Sequence, residues 1–133
     1  MKKILAAIAV FTLGSFHSLA HEGHNKTPGA ISAPHGGQVK GTDSLYLELV
    51  SDKDGFKLYP LTHEMKVVPA KEISLEAKVK FPKKSGSENI KLMSSADFFE
   101  GKVNAEGAYR YTVEIKMTYQ GKKDHLTFNV EPQ

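Results

Sequence analysis

Apolar residues recur at every second position through much of this chain. Tyr111, Val113, Ile115, Met117 and Tyr119 fall on one side of an extended backbone, with Arg110, Thr112, Glu114, Lys116 and Thr118 on the other. Ile73, Leu75, Ala77, Val79 and Phe81 alternate in the same way with Ser74, Glu76, Lys78 and Lys80. Leu126, Phe128 and Val130 alternate with Thr127, Asn129 and Glu131, and Leu45, Leu47 and Leu49 with Tyr46, Glu48 and Val50. A period of two marks strands with one face on a core and the other in water. The residues beyond position 20 hold no sustained period of 3.6, so helices are not expected there.

Turn-forming runs punctuate the pattern: Gly41-Thr42-Asp43, Asp52-Lys53-Asp54-Gly55, Pro82 to Glu88, Ala105-Glu106-Gly107 and Gln120-Gly121-Lys122-Lys123. The last reads as a hairpin between two long antiparallel strands. Extended segments are predicted near 37–40, 45–50, 56–61, 64–68, 73–81, 90–94, 98–103, 109–119 and 124–130, some of them marginal, for seven or eight strands in all. The expected fold is all-β, an antiparallel immunoglobulin-like β-sandwich, with a small closed barrel as the alternative. No internal repeat or second domain is visible. Lys and Glu on the outward positions keep exposed strand edges soluble.

The first twenty residues break this pattern. Met1-Lys2-Lys3 precedes an apolar run from Ile4 to Leu13, and small residues stand at Ser18 and Ala20. That is the layout of a cleavable export signal, with an apolar run about half the ~20 residues that span a bilayer. Residues 1–20 are therefore read as a signal peptide, and the working protein as a periplasmic one without membrane insertion. Residues 21–34 hold two Pro, two Gly and the single large apolar residue Ile31. They read as a flexible His-containing tail, and residues 35–133 as the sandwich domain.

Charge and composition then remove several function classes. Of 18 Lys+Arg, Lys2 and Lys3 lie in the signal, leaving 16 against 15 Asp+Glu. A chain so nearly neutral, with Arg110 as its only Arg and no Trp, is not equipped for nucleic acid. Cys is absent, which excludes disulfides, thiolate metal sites and thiol nucleophiles. No nucleophile elbow, phosphate-cradling Gly loop or His-Glu-x-x-His occurs, and the carboxylates fall on solvent faces of strands. An enzyme is not expected.

Histidine carries the remaining chemistry. Beyond His17 in the signal, the chain has His21, His24, His35, His63 and His125. In a Cys-free exported protein such a set points to Cu(II), Zn(II) or Ni(II), all served by neutral imidazole. Cleavage after Ala20 makes His21 the first residue, offering its α-amino nitrogen and ring Nδ1 to one metal, with His24 adding a second imidazole. His35 stands between Pro34 and Gly36-Gly37; His63 follows a strand beside Glu64 and Met65. Glu48 points away from the Leu45/Leu47/Leu49 face, where a surface charge is the ordinary reading. No role is assigned to His125.

Pro34-His35-Gly36-Gly37-x-Val39, Tyr46 to Val50, and Lys57-Leu-Tyr59 through His63 to Val68-Pro69 resemble a small exported β-domain of bacterial heavy-metal handling. Phe98-Phe99-Glu100-Gly101 and Tyr109 to Gly121 carry the likeness further. Residues 34–131 are thus similar to the β-rich N-terminal region of periplasmic adaptor subunits of heavy-metal efflux systems. The chain has no helical hairpin or lipoyl-like halves, so it would be that module standing alone. The resemblance singles out His35, Glu48 and His63 as matching polar positions. A weaker likeness, resting on the sandwich and His21, is to small periplasmic copper-carrying β-sandwiches.

The resulting expectation is a module that sequesters or hands over a divalent transition metal, copper or zinc foremost, in metal resistance. His35 and His63 would form the body site, Glu48 being a third ligand or their orienter, and His21 and His24 a capture arm. The partner would be the metal ion and a metal-efflux component or other periplasmic protein. The rival expectation is a non-catalytic protein-interaction module without metal.

Overall fold

The computed structural model describes residues 32–133, so the expected signal peptide and the tail imidazoles His21 and His24 lie outside the described residues. Nine strands follow in chain order: β1 (Gln38–Gly41), β2 (Tyr46–Asp52), β3 (Gly55–Leu61), β4 (Ile73–Lys80), β5 (Glu88–Ile90), β6 (Leu92–Ser94), β7 (Phe99–Lys102), β8 (Tyr111–Tyr119) and β9 (Lys122–Val130). One 3-10 turn, Ala70–Glu72, precedes β4. The strands form a five-stranded sheet in the order β1-β2-β3-β7-β6 and a four-stranded sheet in the order β5-β4-β8-β9. Every pairing is antiparallel. Two separate sheets, rather than one sheet closed on itself, decide for the sandwich over the barrel.

The inward set is the alternating set. Leu47, Leu49, Phe56 and Leu58 from the first sheet meet Val79, Val113, Ile115, Met117 and Phe128 from the second in a single buried cluster. Each of these side chains is at most 1% exposed. Full burial of such a side chain is worth about 1.5–3 kcal/mol, so this layer supplies the main drive for the two sheets to stack. The β8–β9 hairpin closes through Gln120 and Gly121, whose φ values of 48° and 77° suit the mirror-image two-residue turn that matches strand twist.

Two strand expectations fail for local reasons. The predicted strand at 64–68 is a tight turn: Met65 N–H donates to the Thr62 carbonyl at 2.9 Å, and Met65 takes a positive φ of 63°. Only an isolated bridge, Leu61 to Val67, survives there. The predicted strand at 90–94 breaks at Lys91 into β5 and β6, which pair in different sheets. The chain changes sheets at that residue, and the strand count rises to nine. A period-two pattern cannot reveal such a crossing, because the alternation runs through it.

Candidate metal-binding site

The first sheet carries an unusual outer face. Because Leu47 and Leu49 point into the core, the pleat sends Tyr46 and Glu48 of β2 outward. Glu48 sits opposite Val39 on β1 and Tyr59 on β3. The expectation that it is a surface charge is overturned, since Glu48 is 0% exposed and is the one buried charged residue among those described. The cause is a cover that strand periodicity does not encode. The chain before β1 turns back through Ala33–Gly36, closed by Gly36 N–H donating to the Ala33 carbonyl at 3.1 Å. It thereby lays His35 over the carboxylate.

Three donors converge there. Glu48 Oε1 accepts the backbone N–H groups of His35 and Gly37, each at 2.9 Å. Glu48 Oε2 accepts from His35 Nδ1 at 2.8 Å. A buried carboxylate is tolerable only when its lone pairs are met in this way, and bonds to a charged acceptor are each worth about 1.5–3 kcal/mol. The His35 ring also lies flat on Tyr59, with centroids 3.7 Å apart and planes 12° from parallel. Tyr59 meets Phe98 at 5.4 Å, and the Lys57 ammonium stands 5.3 Å over the Phe98 ring.

The imidazole is therefore held at one nitrogen and on one face, while its side chain stays 34% exposed. With Nδ1–H given to the carboxylate, the lone pair of the neutral ring is on Nε2. Carboxylate, imidazole and open Nε2 make the unit that orients histidine ligands in metal proteins, where the carboxylate acts through the ring instead of binding the metal.

His63 belongs to a neighbouring arrangement. It is exposed on the 62–66 turn, donates through Nε2 to the Thr42 carbonyl at 3.2 Å, and packs edge-on to Tyr46 with centroids 5.0 Å apart. Its free lone pair is thus on Nδ1. Tyr46 and Glu48 are two residues apart on one face of β2, about 7 Å along the strand, so both histidines approach that face. The structure joins His35 to Glu48 directly and leaves His63 outside that pair. Among the described residues no group of three or more His, Cys, Asp or Glu is placed to hold a metal ion. His125 lies opposite Lys116 on the second sheet, away from both.

The ring wall of Tyr59 and Phe98 is the part that residue-type reasoning does not assign. Its signal in the sequence is that Tyr46 and Tyr59 stand at outward positions of the first sheet, where Glu76, Lys78, Glu114 and Lys116 stand on the second. Comparison with known protein families, with characterised proteins and with solved structures gave no match to this chain.

Proposed function

We propose that this protein is an exported, periplasmic module that binds a divalent transition metal of the copper, zinc and nickel class and passes it on, in metal resistance. The observation that carries this reading is His35, fixed through Nδ1 by the buried Glu48 with Nε2 left open. One fixed imidazole does not make a tight site, so further donors come from His21 and His24 of the tail and from His63. An incomplete body set suits exchange over storage. The likeness of residues 34–131 to the β-rich region of efflux adaptor subunits points the same way. Export rests on the first twenty residues.

An immunoglobulin-like topology is part of the same proposal. In the order β2-β3-β7-β6 and β5-β4-β8-β9, the strands match the A-B-E-D and C′-C-F-G arrangement, with β1 added outside the first.

The test is calorimetric titration of the mature protein, its N-terminus fixed by intact mass, with Zn(II), Cu(II) and Ni(II). Binding of about one equivalent with submicromolar affinity is expected. Removing the orienter in Glu48→Gln should weaken it roughly 10- to 100-fold. Flat titrations with all three metals would sink the reading. They would favour the rival, a non-catalytic protein-interaction module without metal.

A further inference from the structure

We infer that residues 33–41, the covering turn and β1, form a strap that opens as a local unit, and that the Glu48 carboxylate is its latch. The strap hides the edge of β2 and the outer-face carboxylate. This inference concerns the fold and stands whether or not metal binds at His35.

The strap contributes nothing to the core. No residue of β1 belongs to the buried cluster, and Gln38, Lys40 and Gly41 are exposed. Its ladder is the four-residue pairing with β2, from Gln38 opposite Leu49 to Gly41 opposite Tyr46. Toward the second sheet it reaches only with side chains: Gln38 Nε2 donates to the Asn129 carbonyl at 2.8 Å, and the Lys40 ammonium donates to the Thr127 carbonyl. Opening therefore exposes little apolar surface and returns Glu48 to water. Segments with few apolar contacts and solvent-reachable hydrogen bonds open at low free energy.

What holds the strap down is concentrated at Glu48. All three hydrogen bonds to its carboxylate come from strap residues. A carboxylate that loses them while still covered would be buried without partners, so the bonds and the cover are lost together.

Two glycines make the close fit possible. A Cβ on Gly37 would lie 2.2 Å from the Leu49 carbonyl oxygen, and one on Gly41 would lie 2.4 Å from the Tyr46 ring. The first obstacle is backbone and cannot move aside. Gly37→Ala thus prises the strap from β2 without altering the His35 or Glu48 side chain chemically.

Native-state hydrogen exchange on the full mature chain tests this. In the unaltered protein, amides of 35–41 and the facing edge of β2 should exchange by openings insensitive to low denaturant, well before those of β8. In Glu48→Gln and in Gly37→Ala, exchange in the strap should rise by roughly tenfold or more relative to β8. Lys83→Ala, at an exposed turn residue between β4 and β5, is the control. Strap and β8 amides exchanging together in the unaltered protein, or rising in step in both variants, would overturn the strap as a separate unit. An unchanged strap in Glu48→Gln would overturn the latch.

Discussion

The outer faces of the two sheets follow one rule of alternation and end in opposite states. On the four-stranded sheet, Glu76 pairs with Lys116 and Lys116 with His125, while Lys78 pairs with Glu114. Those residues are half-buried or exposed, a solvated checkerboard of charge. On the five-stranded sheet the matching positions hold Tyr46, Glu48 and Tyr59, with a turn of chain laid over them. There the Glu48 carboxylate is fully buried and bonded three times. An outward position is therefore not a solvent position until it is known what crosses above it.

The comparison is broken most directly by deleting one carboxylate from each face. Glu48→Ala should lower the unfolding free energy by about 2 kcal/mol in urea titration, because three donors lose their acceptor while a buried charge is also removed. Glu76→Ala or Glu114→Ala should stay within about 0.5 kcal/mol, as exposed pairs on strands do. Equal losses on both faces would mean that the cover over Glu48 contributes nothing.

A smaller effect should follow removal of the ring wall. Tyr59→Leu keeps apolar bulk but loses the stack on His35, and about 1 kcal/mol is expected. Lys116→Leu, at a ladder position of the other face, is expected to change stability by less than about 0.5 kcal/mol. Matching urea midpoints for the two variants would show that the stacked ring is incidental.

A separate, pH-dependent effect belongs to the inner layer that both sheets share. Tyr111 is 3% exposed, and burial, with help from the nearby Asp52 charge, pushes its phenol from 10.0 up to about 12. The sign follows from proton counts. Above pH 10 the unfolded chain releases this proton while the folded chain keeps it. The stabilising contribution is whole below pH 10 and is lost as pH climbs toward about 12. Urea midpoints measured across that window should fall less steeply in Tyr111→Phe; identical slopes would show that the phenol does not report on the shared core.

Much of the fold was legible because it rests on local rules. Alternation placed β2, β4, β8 and β9 and named their inward residues, and Gln120-Gly121 announced the hairpin turn. The segment at 64–68 misled because Met65 and Val67 alternate like strand residues, while Thr62 and a left-handed Met65 actually fold a turn. Of the candidate site, residue types at positions 35, 48 and 63 drew notice, but their relations did not. His35 and Glu48 are thirteen residues apart, and nothing between them spells out that the preceding turn doubles back over β2.

By itself the sequence determined the all-β class, the two-sided strands, the composition of the core and the exclusion of thiol chemistry, since these follow from periodicity and residue inventory. Tertiary structure alone decided that the chain changes sheets at Lys91, that Glu48 is buried while Glu76 and Glu114 are not, and that His35 offers Nε2 while His63 offers Nδ1. The reason is physical. Burial of an outward side chain and the choice of ring nitrogen depend on which distant segment comes to rest against it, and that contact is set by the packing of the whole sheet.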